Sequence, residues 1–340
     1  MILVDFPGWA YAHKAAALKQ NLINFDTEIR YHKEFSKAAE SNGIRELHQY
    51  DVALFLGFFY YLIDFSGDKP MNFGCTLQPI HASELTNVVS TLTSWQFMHS
   101  AWANVPNTAR AYKRSGAVSP SLWKQLKTWG VDSPALCMNG VDENKFCIEK
   151  STDRKSKKLR VGWVGSIRNK ASGHTIDFKG FDAVLKKVML NLSGEDIEFV
   201  VHRVNSMDTN SLKSQDEMRE FYNGLDVYLS TSHKYSEGTP NPAFEASACG
   251  VPVVSTVNGC IEELITHGEN GFIASGWQTE LEAKTSVKEI CGFLSKLAHS
   301  DDLVSEMGKA ARKEIEENWT WRRRSLDYLY LFKGVTDDGA

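Results

Sequence analysis

Short apolar runs alternate along the chain with stretches in which apolar residues recur at helical spacing. This alternation is typical of parallel strands joined by crossover helices. The sequence therefore predicts an α/β protein. In the first half, the predicted strands are Ile2 to Phe6, Glu28 to Tyr31, Val52 to Leu56, Cys75 to Ile80 and Ser115 to Ser119, with a helix at His13 to Leu22.

A polar, basic stretch from Cys147 to Lys158 has no apolar periodicity and predicts a linker, after which strand alternation restarts. The predicted strands that follow are 159–165, 197–202, 227–231 and 251–255, and the predicted helices are 178–190, 215–222, 242–249, 287–297 and 303–318. We expect two Rossmann-like α/β domains that face each other across a cleft. The first covers residues 1–146, the linker 147–158, and the second begins at 159.

Composition narrows the class of protein. The chain has 340 residues, 42% of them hydrophobic, and a formal net charge of -4, so a disordered chain or a polycation is excluded. Six cysteines are spread singly, which argues against a zinc site or a disulfide scaffold and favours a reducing compartment. The apolar run between Asp51 and Asp64 is shorter than the roughly 20 residues of a membrane helix. We expect a cytoplasmic protein without a signal peptide or transmembrane segment.

The loop after the predicted strand 227–231 is rich in glycine and proline and leads into a helix with Pro242 in its first turn. Free amides at such a helix start favour anions. Glu237 precedes this helix and Glu245 lies eight residues later, inside it. Each carboxylate can accept two hydrogen bonds from vicinal hydroxyls, which suits a ribose and a hexose.

The Glu237-x7-Glu245 motif and the Ala-x-Ala-Cys-Gly-x-Pro that follows resemble the retaining GT-B glycosyltransferases, most closely family 4 (group 1). Other segments are similar to that family in order and spacing: Asn139–Asp142 with Phe146, Val164-Gly165, Phe178–Gly180, Asp226–Ser232, Gly259–Glu263 and Glu269–Phe272. The resemblance covers Asn139 to Phe272, whereas residues 1–138 match only in pattern.

The resemblance implies transfer of a sugar, with retention, from a UDP- or GDP-type sugar to an acceptor hydroxyl. It implies an acceptor-binding domain over 1–146, a nucleotide-sugar-binding domain over 159–315 and, within 316–340, a helix that returns to the first domain. It also implies no metal and no cofactor besides the donor as co-substrate. No two aspartates are spaced as Asp-x-Asp, the usual means of holding a divalent ion in metal-dependent glycosyltransferases.

By the same resemblance, Glu237 would hold the hydroxyls of the transferred sugar, Glu245 the ribose and Lys179 the diphosphate. A fixed cation stabilises the negative charge that a leaving diphosphate gains. We expect Lys179 in the first turn of the helix 178–190, where a cation opposes the helix dipole and a ligand role is therefore favoured.

Further positions are expected around these three residues. Arg168 is a second donor-binding cation, although Ser166 stands where the family usually has arginine. His81 would correspond to a family histidine near the reacting end of the sugar. The remaining expected positions are Gly165, Gly238, Thr239, Pro240 and Asn241 at the donor, and Gly8 in an acceptor or phosphate loop.

The stretch from Leu85 to Val131 contains no Asp or Glu. Its cations and tryptophans are Arg110, Lys113, Arg114, Lys124 and Lys127, with Trp95, Trp102, Trp123 and Trp129. This pattern suits an anionic acceptor, either a lipid-linked glycan at a membrane face, with peripheral contact, or a nucleic acid. An ordinary domain core with scattered basic side chains explains it equally well. Two alternative functions stay open: transfer to modified DNA bases, and nucleotide or glycan binding without turnover.

Overall fold

The computed structural model describes residues 1–4, 7–8, 10–31, 34–35, 45–57, 85–94, 105–149, 158–166, 169–171, 174–204 and 213–335. The chain divides into two compact units, Met1–Gly140 with Trp321–Ala340, and Val141–Thr320. In the described part of each unit a parallel sheet is flanked by helices. The predicted α/β class with two Rossmann-like sheets is confirmed.

The described part of the N-terminal unit contains a six-stranded sheet in the order β2-β1-β3-β4-β5-β6. Its strands are β1 (Ile2–Val4), β2 (Ile29–Tyr31), β3 (Ala53–Leu56), β4 (Val88–Leu92), β5 (Arg114–Ala117) and β6 (Ala135–Leu136). Its first helices are α1 (Ala10–Asn21), α2 (Arg45–His48), α3 (Val105–Ala111) and α4 (Pro120–Thr128). The expected strand at Cys75 to Ile80 lies outside the described residues.

Strand β4 was not predicted, because Ser90 and Thr91 interrupt its apolar run. Both side chains are nevertheless fully buried between β3 and β5. The Ser90 hydroxyl donates a hydrogen bond to the Phe55 carbonyl oxygen at 2.9 Å. A buried hydroxyl with a partner fits a central strand, since only an unpaired polar group carries the full desolvation cost.

The described part of the C-terminal unit has a five-stranded parallel sheet in the order β10-β7-β11-β12-β13, besides a short hairpin. Its strands are β7 (Leu159–Ser166), β8 (Asn169–Ala171), β9 (His174–Ile176), β10 (Ile197–Val204), β11 (Val227–Ser230), β12 (Val253–Thr256) and β13 (Gly271–Ala274). Its helices are α5 (Lys186–Asn191), α6 (Gln215–Asn223), α7 (Asn241–Ala248), α8 (Ile261–Leu264), α9 (Glu280–Ala298) and α10 (Asp301–Glu314), and π-helical turns cover Phe181–Leu185 and Ile315–Trp319.

The last helix, α11 (Trp321–Phe332), packs in the N-terminal unit. Tyr328 and Leu331 lie in that unit's core, in the same cluster as Leu18 of α1. The Tyr328 hydroxyl donates to the Cys137 carbonyl oxygen at 3.2 Å. The buried aromatic and aliphatic side chains therefore tie α11 to the first sheet, although the 180 residues Val141–Thr320 separate it from the rest of that unit.

The unit boundary lies at Gly140, not at the expected residue 146. Val141 donates its backbone N–H to the Trp319 carbonyl oxygen at 2.9 Å. The Phe146 ring packs edge-on against Tyr222, with centroids 6.1 Å apart. Both contacts join segment 141–146 to the C-terminal unit. Residues 316–320 also belong to that unit, since Trp319 packs on Phe244 of α7 with ring centroids 4.9 Å apart.

Candidate functional site

The candidate site lies at the carboxyl ends of β7 and β11 in the C-terminal unit. In open parallel sheets, ligands bind at this edge, where loops rather than strands present side chains. A pocket there is lined by residues that include Trp163, Lys179, Thr231, Ser232 and Pro240. Two of the expected donor-binding positions, Lys179 and Pro240, therefore share one pocket.

An ion pair joins two of the residues singled out by sequence. The Lys179 ammonium lies 2.5 Å from Oε1 of Glu237, although 58 positions separate the two residues. Both side chains are mostly shielded, with exposed fractions of 27% and 15%. The Ser232 hydroxyl donates a second hydrogen bond to the same Glu237 oxygen at 3.0 Å. The site thus combines one cation and one carboxylate whose position is fixed from two sides.

Contacts with Thr231, the residue after β11, determine where Lys179 lies. The Thr231 hydroxyl donates to the Lys179 carbonyl oxygen at 2.7 Å and accepts from the Trp163 indole N–H at 2.9 Å. Gly180 has a left-handed φ of 70°. A Cβ atom at that position would lie 2.1 Å from the Thr231 carbonyl oxygen. Glycine is therefore required beside Lys179 for the backbone to approach the strand this closely.

Asp177 defines the start of the following helical segment. Its carboxylate accepts hydrogen bonds from the backbone N–H groups of Phe181, Asp182 and Ala183 at 2.8–2.9 Å. The expected helix start at 178 was wrong, because the helical turns begin only at Phe181. Lys179 lies before the helix, so the argument from an opposed helix dipole does not apply to it. The amides of this helix start are also already occupied by a carboxylate.

The second carboxylate, Glu245, lies in α7 and is partly buried. The Tyr222 hydroxyl of α6 donates to its Oε2 at 2.7 Å. Burial raises the pKa of Glu245 from 4.5 to about 7, and the hydrogen bond from Tyr222 opposes that rise. Near neutral pH this group therefore exchanges between a donor-capable acid and a carboxylate that only accepts.

The loop between Glu237 and α7 is held by its neighbours. A Cβ atom on Gly259, which has φ 52°, would lie 2.5 Å from the Gly238 carbonyl oxygen and 3.2 Å from the Glu237 Cβ. Thr239 is buried, and Asn241 is the first residue of α7. The expected positions Gly238, Thr239 and Pro240 thus form one loop beside the Lys179–Glu237 pair, and this loop leads into α7 at Asn241.

Gly165 is also placed beside the pair, at the end of β7. A Cβ atom there would lie 3.0 Å from the Trp163 ring and 3.1 Å from Lys179 Cγ. Gly8 occupies a turn of the N-terminal unit with φ 76°. His81 and Arg168 lie outside the described residues, so their expected roles stay predictions.

The described part of the basic stretch shows that several of its groups have partners. The Trp123 indole N–H donates to the Pro134 carbonyl oxygen at 2.6 Å, and Lys127 lies 4.1 Å from the Trp123 ring centroid. Arg110 donates to the Trp129 carbonyl oxygen at 2.5 Å. These contacts favour a packing role for Trp123, whereas Trp95 and Trp102 lie outside the described residues.

Sequence reasoning missed the groups that hold the two glutamates, Tyr222 and Ser232, and the contacts of Thr231. The only signal was the polar triplet Ser230-Thr231-Ser232 at the end of a predicted strand, a typical place for site residues. Tyr222 gave none, because an aromatic residue on an amphipathic helix indicates core packing.

The described residues contain no group of three or more His, Cys, Asp or Glu side chains arranged to hold a metal ion. None of the helices within the described ranges has the length and apolar character needed to cross a membrane.

Comparison with known protein families places this site in context. Residues 158–287 match the family described as glycosyl transferases group 1. Among curated relatives, a capsular polysaccharide biosynthesis glycosyltransferase, CapM of Staphylococcus aureus, is 26% identical over 54% of this chain and 49% of its own length. A mannosyltransferase of Mycolicibacterium smegmatis, described as GDP-mannose-dependent and acting on phosphatidylinositol monomannoside, is 32% identical over 33% of this chain and 25% of its own. The matched part of the chain spans about half or less of these relatives.

Solved structures match over nearly the whole chain. A glycosyltransferase from Rickettsia africae has a TM-score of 0.66 at 13% identity and covers 99% of this chain and 98% of its own. HepE from Anabaena, solved with UDP and glucose, has a TM-score of 0.65 at 13% identity and covers 98% and 99%. At such identities the likeness establishes the fold. The chain therefore has the GT-B fold, and its residues 158–287 match the family of group 1 glycosyl transferases.

Proposed function

We propose that this protein is a glycosyltransferase that moves a sugar from a UDP- or GDP-type nucleotide sugar to an acceptor hydroxyl. The observation that carries the proposal is the contact between Lys179 and Glu237 at the carboxyl edge of the second sheet. The match of residues 158–287 to the group 1 glycosyltransferases supports it. The names of the relatives, one of them GDP-mannose-dependent, and the UDP bound to HepE are in keeping with such a donor.

Lys179 is assigned to the diphosphate of the donor. Negative charge grows on the diphosphate as the glycosidic bond breaks, and a fixed cation stabilises that charge more in the transition state than in the ground state. The backbone of Lys179 is held by Thr231 and by the close approach of Gly180. Such a preorganised cation needs no rearrangement of its main chain during the reaction.

Glu237 is assigned to the hydroxyls of the transferred sugar. One of its oxygens already accepts from Lys179 and Ser232. A carboxylate has about four lone-pair positions, so its other oxygen can accept hydrogen bonds from the sugar while the first keeps its orientation. Ser232 thereby acts as a positioning residue for Glu237.

Glu245 is assigned to the ribose. As a carboxylate it accepts from the Tyr222 hydroxyl and can accept from the vicinal ribose hydroxyls. Because the pKa of Glu245 is raised to about 7, nucleotide binding also draws the group toward its ionised form.

We propose transfer with retention and without a metal ion. The bond between the sugar carbon and the diphosphate oxygen breaks, while the acceptor oxygen attacks that carbon on the same face. The acceptor proton passes to the leaving diphosphate oxygen, so no protein base is consumed. Lys179 supplies the positive charge on the diphosphate that a divalent ion supplies in metal-dependent enzymes.

Release of UDP or GDP from a panel of sugar nucleotides, with water as the acceptor, tests this proposal. We expect release from at least one donor, and no loss of rate when EDTA is present. The Lys179→Ala variant should lower kcat by more than it raises KM. Rescue of an EDTA-silenced enzyme by manganese would contradict the metal-free mechanism, and a larger effect of Arg168→Ala would show that Lys179 is not the principal cation.

A further inference from the structure

Helix α11 exposes apolar side chains on the side opposite to the one it buries. Tyr328, Leu331 and Phe332 face the core of the N-terminal unit. Leu326 and Tyr330 point to solvent with exposed fractions of 60% and 51%. A helix on a protein surface usually presents polar residues on its outer face. The exposed apolar groups of α11 therefore need a separate explanation.

The exposed residues form one stripe, which we call the α11 stripe. It consists of Arg322, Arg323, Leu326, Leu329, Tyr330 and Lys333, all of them exposed. At about 100° per residue they fall within roughly one third of the helix circumference. The backbone N–H of Lys333 donates to the Leu329 carbonyl oxygen at 3.0 Å, so the helical path continues to the end of the stripe.

The α11 stripe contains three cations and no carboxylate. The acidic residue of this helix, Asp327, lies just beyond the Arg323 edge of the stripe, where it pairs with Arg324 at 3.2 Å and also faces the charge of Arg323. Positive charge stands at both ends of the stripe, and the apolar side chains lie between. The stripe therefore matches a partner that is anionic on its surface and apolar beneath it.

Arg114 contacts the C-terminal end of the stripe. Arg114 of β5 lies 4.6 Å from the Tyr330 ring centroid. It also donates to the carbonyl oxygens of Tyr330 and Lys333 at 2.9 and 2.7 Å. The last carbonyl oxygens of a helix have no intrahelical donors, so a cation that donates to them is favourable. The end of α11 is thus fixed, with a fourth cation beside Tyr330.

We propose that the α11 stripe binds the surface of an anionic lipid bilayer. Leucine side chains in such a helix enter the boundary between headgroups and acyl chains, while arginine and lysine extend toward the lipid phosphates. A tyrosine suits the same boundary, since its ring is apolar and its hydroxyl polar. A second copy of the chain is disfavoured as the occupant, because a symmetric contact would bring like charges together.

Sedimentation with phosphatidylcholine vesicles, with and without phosphatidylglycerol, tests the proposal on the full chain. We expect retention only on the anionic vesicles and a steep loss as salt increases. Each basic residue near an anionic surface contributes about fivefold in affinity, so the double variant Arg322→Gln/Arg323→Gln should bind about 25-fold more weakly. The double variant Leu326→Gln/Leu329→Gln should also lose retention.

Matched controls come from the C-terminal unit. Lys309→Gln/Lys313→Gln removes two exposed lysines of α10, and Leu281→Gln removes an exposed leucine of α9. Both should leave vesicle binding unchanged. Equal losses in controls and stripe variants, or no retention of the wild-type chain at low salt, would overturn the proposal. Stripe-dependent binding to polyglutamate without vesicle binding would instead identify an acidic protein partner. The assay needs no donor, so its outcome is separate from that of the proposed reaction.

Discussion

The backbone of Gly180 lies directly against Thr231, where a Cβ atom on residue 180 would come within 2.1 Å of the Thr231 carbonyl oxygen. This contact sets the position of the neighbouring Lys179. It joins the segment after the β8–β9 hairpin to the end of β11, and thereby brings the Lys179 ammonium to Glu237.

Replacement of Gly180 by alanine should therefore be damaging. The new Cβ collides with backbone, and the left-handed conformation is strained for alanine, so we expect a loss of about 2–4 kcal/mol in the free energy of unfolding. Gly194→Ala is the matched control, because a Cβ there meets no atom within 4 Å. Urea denaturation of both variants measures the difference. Similar free energies of unfolding for Gly180→Ala and Gly194→Ala would show that the end of β11 and the Lys179 segment can move apart with no loss of stability.

Ser232→Ala tests the support of Glu237. Loss of one hydrogen bond to a carboxylate costs about 1.5–3 kcal/mol at most, and we expect kcat to fall about tenfold with a smaller change in nucleotide affinity. Ser236→Ala removes a hydroxyl that donates to the His233 carbonyl oxygen instead and should leave kcat nearly unchanged. Steady-state kinetics on both variants measure these changes in kcat. Equal effects of the two changes would remove Ser232 from its positioning role.

Glu245 predicts a pH dependence of nucleotide binding. Its pKa is raised to about 7 by burial, so the fraction that is ionised increases as pH rises from 6 to 8. Because the ionised form accepts hydrogen bonds from the ribose at both oxygens, calorimetry should show tighter nucleoside diphosphate binding at pH 8 than at pH 6. In Glu245→Gln the part of this difference that comes from Glu245 should disappear, leaving only the part due to the terminal phosphate of the nucleotide, whose second pKa is about 6. A variant that keeps the wild-type pH profile would show that another group titrates.

A buried lysine in the N-terminal unit predicts a pH dependence of stability. Lys14 of α1 is 4% exposed, its ammonium has no hydrogen-bond partner among the described residues, and it lies 5.4 Å from the Tyr328 ring centroid. Burial lowers the pKa of Lys14 from 10.5 to about 7. Between these values the unfolded chain binds the extra proton, so this group makes the free energy of unfolding increase with pH.

Lys14→Met should remove that contribution. At pH 7 the variant should be more stable by about 1–3 kcal/mol, and its stability should rise less between pH 7 and pH 9 than that of the wild-type chain. Lys19→Met, an exposed position on the same helix, is the control and should keep the wild-type slope. Urea denaturation at the two pH values provides the measurement. A destabilised Lys14→Met would mean that the ammonium is stabilised by its surroundings.

The fold could be predicted from sequence where strands are continuously apolar. Strand β3 was expected at Val52 to Leu56 and spans Ala53–Leu56. Strand β4 was missed, since the polar Ser90 and Thr91 resemble surface residues in sequence although both are buried. The two-residue strand β6 offers too short a pattern for any periodicity.

The candidate site could also be predicted only in part. The spacing of Glu237 and Glu245 and the glycine after Lys179 are local features that can be recognised in the sequence. The start of the helical segment at Phe181 was predicted wrongly. Asp177 accepts hydrogen bonds from three backbone N–H groups there, and such a cap does not appear in the pattern of apolar residues. Tyr222 could not be found either, since its contact with Glu245 spans 23 positions and depends on how α6 packs on α7.

Calorimetric titration of UDP and GDP into the wild-type chain and into Lys179→Ala tests the central claim most directly. The claim is that Lys179 binds the diphosphate of the donor. A hydrogen bond to a charged group contributes about 1.5–3 kcal/mol, so the variant should bind the preferred nucleotide roughly 10- to 150-fold more weakly. Lys186→Ala, which removes an exposed lysine paired with Asp182, should bind as the wild type does. Unchanged affinity in a folded Lys179→Ala variant, or no binding of either nucleotide to the wild-type chain, would contradict the account.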